Sequence, residues 1–340
     1  MKTTAFSLLI FGIAGTVIPS ITPSRSAPPQ LTQQEKQELR ETAKVVLAPL
    51  PDKMPGSEND TPARIALGKN LYFETKLSKN GSISCNSCHR VDAGLGGVDN
   101  ASVSSGAFSE TGDRNAPTVL NAGFHLSQFW DGRAASLVEQ AKGPILNPIE
   151  MAMPDETIVL SRLNADSEYP ALFRKAFPDQ GSPVTYQNLA EAIAAFERTL
   201  VTHDRFDDFL KGDNEALSAL ELQGLLKFTQ YGCTTCHTGP AIGGAIYQKV
   251  GLVHPYENFN DVGREKITKD EEDRYKFKVP SLRNIALTAP YFHDGGVASL
   301  EFAVRKMAYM QLGLEISTED THAIVAFLKS LTDKERVPAK

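Results

Sequence analysis

The chain has 340 residues, of which 41% are hydrophobic, and its formal net charge is −6. A chain of this length can form about two domains, each with a buried core. The negative net charge argues against nucleic acid as a partner. The sequence also has no run of Lys and Arg, and no segment in which basic and aromatic residues alternate.

The N-terminus has the features of a secretory signal peptide, which we place at residues 1–26. Lys2 precedes an apolar run at 5–18, and a segment rich in Pro and Ser follows. Ser24 and Ser26 are small residues suited to a cleavage site. The alternative is an uncleaved membrane anchor, but the apolar run is short for a bilayer span. The sequence therefore predicts export to the periplasm, with no membrane span after removal of the signal.

The rest of the chain is predicted to be mainly α-helical, because apolar residues recur at helical spacing and strand alternation is rare. We expect an N-terminal segment and helix at 27–52, packed on one of two later domains. A loop over the first functional segment is expected at 93–113, and 239–278 should be mostly loop. The predicted helices are 31–47, 63–71, 134–141, 156–164, 169–176, 186–200, 218–231, 300–310 and 318–331.

Two segments of the same form contain all four cysteines: 85–89 (CNSCH) and 233–237 (CTTCH). In a C-x-x-C-H segment the thiols are spaced for thioether bonds to the two vinyl groups of one haem, and the His ligates the iron. A disulfide pair and a zinc site built from two C-x-x-C halves are the alternatives, but neither requires a His after both second cysteines. Two covalent c-type haems are therefore predicted. Their binding residues are Cys85, Cys88, His89, Cys233, Cys236 and His237.

An internal repeat predicts two cytochrome c-like domains, at 53–200 and 201–340, that arose by duplication of a single-haem unit. The repeated runs are 114–117 and 129–132 in the first half, and 280–284 and 292–295 in the second. Each set follows one C-x-x-C-H segment. In this alignment Trp130 stands where His293 stands in the other copy.

These runs together resemble the bacterial diheme cytochrome c peroxidases, a family that also contains the MauG-type enzymes, which oxidise tryptophans of a protein substrate. The resemblance extends from about residue 62 to residue 331. Its most specific parts, besides CNSCH at 85–89, are RNAPTVLN at 114–121, QFWDGR at 128–133, QAKGP at 140–144, Glu150-Met151, and APYFHDG at 289–295 followed by Met307.

The resemblance implies that hydrogen peroxide binds at the first haem, whose proximal ligand is His89. Glu150 then corresponds to the acid–base carboxylate of the family, and Gln140 to the positioning amide beside it. In a pocket walled by haem and apolar side chains the pKa of Glu150 should rise toward neutrality, which suits a group that moves a proton between the two peroxide oxygens. Trp130 corresponds to an electron relay between the haems.

The resemblance assigns electron transfer to the second haem, with His237 as its proximal ligand and Met307 as its other axial ligand. Ligation by His and Met raises the reduction potential of a haem. Met310, on the same helix face, is a rival for this position. A core methionine is the ordinary alternative for either residue.

A calcium site at the domain interface is also implied by the resemblance. Its ligands correspond to Asn115 and to the backbone carbonyls of Thr288 and Pro290. Oxygen ligands of this kind suit a hard cation, with waters completing the coordination shell.

Ala107 departs from the pattern of many family members, which close the peroxide site at rest with a histidine on the loop after the first haem segment. No histidine occurs between His89 and His125. Because alanine cannot ligate iron, we expect an open first haem in the fully oxidised protein and activity without reductive priming. His125 lies beside the QFWDGR run, which favours a structural role for it.

The function implied is a periplasmic peroxidase that reduces hydrogen peroxide with electrons from a small soluble cytochrome c or cupredoxin. Two alternatives stay open: a MauG-like oxidase acting on a partner protein, and a diheme electron carrier without catalysis. Met307 favours the peroxidase, because a tyrosine replaces that methionine in the MauG branch, whereas the missing distal histidine favours MauG. The donor, the haem potentials and a homodimer are left open by the sequence.

Overall fold

The computed structural model describes residues 30–92 and 94–337. The predicted signal peptide lies outside these residues. None of the described helices is long and apolar enough to cross a membrane. The helices and strands are α1 (Gln33–Lys44), α2 (Pro62–Phe73), α3 (Cys85–Cys88), α4 (Leu137–Leu146), α5 (Glu156–Ala165), α6 (Tyr169–Ala176), α7 (Tyr186–Glu197), α8 (Arg205–Lys211), α9 (Ala219–Gln230), β1 (Tyr247–Lys249), α10 (Glu265–Thr268), β2 (Lys276–Lys278), α11 (Leu300–Leu312) and α12 (Thr318–Ser330).

The prediction of a mainly helical chain is confirmed, and most predicted helices are present with ends shifted by a few residues. The helix predicted at 134–141 is displaced: α4 begins at Leu137 because the Ser136 hydroxyl accepts a hydrogen bond from the Glu139 amide at 3.2 Å. Helix α8 was not predicted, since its seven residues are too few to show a helical period. The expected loop at 239–278 contains β1 and β2, which pair antiparallel.

Two pairs of helices, α2 with α7 and α9 with α12, form the centres of two hydrophobic cores. Each pair crosses at a glycine. A Cβ atom at Gly68 would lie 1.8 Å from the carbonyl oxygen of Ala192, and one at Gly224 would lie 1.9 Å from that of Ala323. The backbones approach too closely at both crossings for any side chain, so glycine is required there.

The N-terminal helix α1 packs on the second core, where it contributes Leu39 and Ala43. After the helix, Leu47 forms a parallel bridge with Gly239, just beyond the CTTCH segment. The amide of Gly239 donates to the carbonyl of Val46 at 2.8 Å. The beginning of the described chain is therefore held against the second cysteine segment.

The backbone follows the same path twice. Asn121 and Asn284 are both left-handed, with φ of 61° and 62°, and Phe129 and Phe292 follow with φ of 65° and 71°. A short antiparallel bridge closes around each phenylalanine, at 128 with 134 and at 291 with 297. In this structural register 117–121 corresponds to 280–284. The sequence analysis had matched 114–117 to 280–284, so the first repeated run is shifted by a few residues.

The two halves meet through a buried hydrogen-bond cluster at Thr202. Asn121 and Asn284 donate from Nδ2 to the Thr202 hydroxyl at 2.8 and 3.1 Å. The amide oxygen of Asn121 accepts from the Thr202 backbone at 3.0 Å, and that of Asn284 accepts from Asp333 at 2.8 Å. The equivalent asparagines thus make equivalent contacts on either side of this residue.

A fully buried arginine connects the N-terminal segment with several segments of the second half. The guanidinium of Arg283 lies 2.6 Å from an oxygen of Asp204 and 2.9 Å from one of Asp207, and the side chain is 0% exposed. It also donates to the backbone carbonyls of Ala48 and Pro240, at 3.1 and 2.9 Å. Burial raises the pKa of Asp204, and the Arg283 charge opposes this rise.

Candidate functional site

Each C-x-x-C-H segment borders a large cavity. The first cavity is lined by Cys85, Cys88 and His89, and the second by the corresponding residues Cys233, Cys236 and His237. The space inside them, including the part open to solvent, is about 1760 Å³ in the first and about 1770 Å³ in the second.

No disulfide bond joins any of the four cysteines, all of which lie in the described part of the chain. Within residues 30–92 and 94–337, no group of three or more His, Cys, Asp or Glu is placed to hold a metal ion. Burial raises the pKa of Cys85 to about 12 and that of Cys233 to about 11. Burial therefore disfavours a thiolate at either position.

The histidine of each segment is oriented by a backbone carbonyl. Nδ1 of His89 lies 3.0 Å from the carbonyl oxygen of Pro117, and Nδ1 of His237 lies 3.2 Å from that of Ile242. Because a carbonyl only accepts, each Nδ1 carries the proton and Nε2 is left with its lone pair. Burial lowers the pKa of both rings, that of His237 to about 4, so they are neutral. This is the usual arrangement of a histidine that ligates a metal.

Glu150 and Gln140 both line the first cavity, together with His89. Burial raises the pKa of Glu150, while a hydrogen bond from Asn147 and the charge of Arg133 lower it. The direction agrees with the expected rise. The structure therefore brings the two polar residues that the resemblance singled out to the wall of the cavity beside the predicted iron ligand.

Asn147 is a site residue that the sequence analysis missed. Its amide nitrogen donates to Oε1 of Glu150 at 2.8 Å, and its amide oxygen accepts from the backbone of Ile149 at 3.2 Å. The second bond fixes which end of the amide faces the carboxylate. An Asn after a helix and three residues before a carboxylate is a signal of this local turn.

Replacing Asn147 by Ala is expected to raise the pKa of Glu150, because burial would then act without the opposing hydrogen bond. A hydrogen bond to a charged group contributes about 1.5–3 kcal/mol, so the acidic limb of the pH profile of kcat/KM should move up by about one pH unit or more. Steady-state peroxidase rates measured from about pH 4 to about pH 9 would show the shift of the acidic limb. The exposed Asn164, replaced by Ala, is the control. An unchanged acidic limb would contradict the assignment.

The loop that follows the first haem segment lies on the first cavity, as predicted, and its residues Ser104 to Gly106 line it. The backbone amide of Ala107 donates to the carbonyl of Glu150 at 2.7 Å. Among the described residues that line this cavity, His89 is the only histidine. His125 instead lines the second cavity, where Nδ1 lies 3.3 Å from Nζ of Lys278.

Trp130 lines both cavities and stands in the wall between them. Its indole nitrogen donates to the carbonyl of Asn115 at 2.9 Å, and its ring meets His293 edge-on with 6.4 Å between ring centroids. His293 in turn stacks on Phe277 at 4.1 Å. The only tryptophan of the chain is thus held in one orientation between the two predicted haem sites.

Met307 lines the second cavity with His237. Its rival Met310 is 2% exposed and is not among the described residues that line this cavity. This placement favours Met307 as the axial ligand.

The residues expected to bind calcium, Asn115, Thr288 and Pro290, line the second cavity together. Asn115 is buried and donates from Nδ2 to the carbonyls of Ala101 and Ser102, at 2.8 and 3.3 Å. Its amide oxygen, the atom suited to a hard cation, lies on the other side of the amide group.

Two buried ionisable residues that the sequence analysis did not single out also line the cavities. Glu197, on α7, lines the first cavity, and burial raises its pKa to about 8. Lys278, at the end of β2, lines the second, and burial lowers its pKa to about 8. Neither residue belongs to a sequence motif that would mark it as buried. Only the tertiary structure distinguishes these two residues from ordinary charged residues on the surface.

The family model described as di-haem cytochrome c peroxidase matches residues 62–215. The chain is 50% identical over 268 residues to the cytochrome c551 peroxidase of Nitrosomonas europaea, covering 78% of this chain and 79% of that protein. It is 45% identical over 308 residues to the cytochrome c551 peroxidase of Pseudomonas aeruginosa, covering 87% of each. Among solved structures, a MauG-like protein associated with microbial copper homeostasis matches with a TM-score of 0.74 at 27% identity, over 85% of this chain and 95% of that one.

These comparisons agree with the residues on which the resemblance was based. The matched region contains the first C-x-x-C-H segment and the run that carries Trp130, Gln140 and Glu150. The matches to the two peroxidases extend over most of both chains. The chain belongs to the di-haem cytochrome c peroxidase family.

Proposed function

We propose that this protein is a periplasmic diheme peroxidase that reduces hydrogen peroxide to water with electrons from a small soluble cytochrome c or cupredoxin. The observation that carries the proposal is the difference between the two cavities. A buried carboxylate and an amide, Glu150 and Gln140, line the first beside His89. The second is lined instead by His237 and Met307, which would serve as the axial ligands of a haem.

Each cavity holds one c-type haem in this proposal, bound by thioethers to the cysteines of its segment. The donor sets fit the group, because each buried imidazole is neutral and is held through Nδ1. The domains are 53–200 and 201–340, related by duplication. The glycine crossings at Gly68 and Gly224 and the repeated backbone path around Phe129 and Phe292 support that relationship.

When bound, the first haem supplies the iron chemistry that reduces peroxide. The protein supplies proton transfer: Glu150 takes a proton from one peroxide oxygen and returns it to the other, which leaves as water. Asn147 holds the carboxylate by its 2.8 Å hydrogen bond, and Gln140 positions the peroxide beside it. Burial keeps the pKa of Glu150 raised, so the carboxylate is basic enough to accept the proton.

Trp130, which borders both cavities, would serve as the relay for electrons between two haems bound there. Full axial ligation by His237 and Met307 would suit the second haem to electron transfer. A calcium ion at Asn115, Thr288 and Pro290 would stabilise the same wall, since Asn115 also accepts the Trp130 hydrogen bond. A homodimer is compatible with this scheme.

A MauG-like oxidase is the alternative that one observation favours. Ala107 replaces the distal histidine, and no second histidine lines the described part of the first cavity. Met151 also lines the first cavity, and it is part of the first hydrophobic core. Met307 favours the peroxidase, because the resemblance assigns a tyrosine to this position in the MauG branch.

Spectroscopy of the fully oxidised protein, followed by a peroxidase assay, tests the proposal. We expect a high-spin signal from the first haem and a His/Met low-spin signal from the second. Hydrogen peroxide with a reduced small cytochrome c should then give turnover without prior reduction of the enzyme. Two low-spin haems would contradict the open first site. Haem spectra as expected, but no oxidation of the donor, would leave an electron carrier or a protein oxidase.

A further inference from the structure

The second cavity has almost entirely apolar walls, and Lys278 is the one charged residue among the described residues that line it. The side chain is 5% exposed, so its ammonium group is shielded from bulk water. It stands at the end of β2, beside Trp130, whose carbonyl accepts the Lys278 backbone amide at 2.7 Å. The Lys278 backbone is therefore held beside Trp130, and the side chain lines the second cavity.

No carboxylate neutralises this ammonium group among the described residues. Nζ donates to the carbonyl of Ser127 at 2.8 Å and lies 3.3 Å from Nδ1 of His125, both of which are neutral. Asp131 is the acidic residue whose charge reaches Lys278, but it is already held by Arg114 at 2.7 Å and by Arg133 at 3.1 Å. A buried charge without a counterion is costly, which indicates that an anion belongs at this place.

The group that the second cavity is proposed to hold carries such anions. A c-type haem has two propionate carboxylates on its edge, and the rest of its surface is apolar. An apolar cavity with one cationic side chain is complementary to this distribution of charge. The cysteines at 233 and 236 and the lysine line the same cavity.

We propose that the ammonium group of Lys278 binds a propionate of the second haem and thereby raises the reduction potential of that haem. The inference rests on the proposed function, because it needs a haem in the second cavity. A fixed positive charge disfavours the ferric state, which carries one more positive charge than the ferrous state. The pair also prevents the propionate charge from stabilising ferric iron.

The test is the replacement of Lys278 by Met, measured by spectroelectrochemical titration of the holoprotein. We expect the equilibrium constant for reduction of the second haem to fall at least tenfold, a shift of about 59 mV for one electron. Lys278→Arg, which keeps the charge, should stay close to the native potential. The matched control is Lys276→Met on the same strand, whose native ammonium lies 3.1 Å from Asp273.

An unchanged second-haem potential in Lys278→Met would overturn the inference, as would equal shifts in Lys276→Met. If the Met variant does not fold, Lys278→Gln carries the same expectation. Loss of the second haem from both neutral variants but not from Lys278→Arg supports the pair, and loss from all three contradicts it. A native protein without a His/Met low-spin haem would instead refute the proposed function.

Discussion

Turnover with hydrogen peroxide is expected to fall by about 10²- to 10⁴-fold when Glu150 is replaced by Gln. Gln has the shape of Glu and can accept the hydrogen bond that Asn147 donates to Oε1 at 2.8 Å. It cannot accept the peroxide proton at any working pH. The variant therefore removes the proton transfer and keeps the packing of the first cavity.

Stopped-flow oxidation of a reduced cytochrome c donor would measure this loss, with haem spectra recorded on the same samples. Both haem spectra should remain close to those of the native protein. Glu139→Gln is the matched control: it makes the same chemical change on α4, at a side chain that is 51% exposed. If Glu150→Gln turns over within twofold of the native protein, Glu150 is not the acid–base residue.

Replacing Arg283 by Met is expected to lower the free energy of unfolding by about 3–5 kcal/mol, because the variant leaves two carboxylates buried without their partner. Arg283 is 0% exposed, and its partners Asp204 and Asp207 are 0% and 2% exposed. The arginine also loses its bonds to the Ala48 and Pro240 carbonyls. The N-terminal segment and the segment after CTTCH should loosen together.

This destabilisation should decrease as the pH falls. Burial already raises the pKa of Asp204 above its ordinary value, and removal of Arg283 raises it further. A carboxyl with a raised pKa in the folded state costs stability above that pKa, and protonation relieves the cost below it. Guanidinium unfolding of the holoprotein at several pH values, followed by circular dichroism, would measure both effects.

The control for this variant is Lys334→Met, which breaks a partly exposed ion pair with Asp208 on the same helix, α8. An exposed pair contributes about 0–1 kcal/mol, so the control should change little. Equal decreases in the free energy of unfolding of the two variants would show that the buried ion pairs of Arg283 stabilise the protein no more than an exposed ion pair does.

Helices with strong local signals were predicted well. The bounds predicted for α6, 169–176, are those observed, and α9 begins after Ser218, which caps it together with Glu221. The errors arose where the local signal was weak or ambiguous. The start of α4 was predicted wrongly because several residues before its apolar face could have been the N-cap. Helix α8 was missed because seven residues are too few to show a helical period.

The sequence by itself was enough to predict the chemistry of the cofactor sites. Two C-x-x-C-H segments place two thiols and an imidazole within five consecutive residues, so covalent spacing alone sets their proximity. The family resemblance also followed from local runs, including those around Trp130 and Glu150. These inferences needed no knowledge of how distant segments pack.

Only the tertiary structure decided which side chains share a cavity. Trp130 borders both cavities, and Lys278 stands alone in an apolar wall, because segments far apart in the chain meet there. Packing also separates Met307, which lines the second cavity, from the buried Met310, which does not. These differences arise because segments that are distant in the sequence bury one another. Burial changes the free-energy cost of a charge and the access of a side chain to a ligand, and the local sequence does not show it.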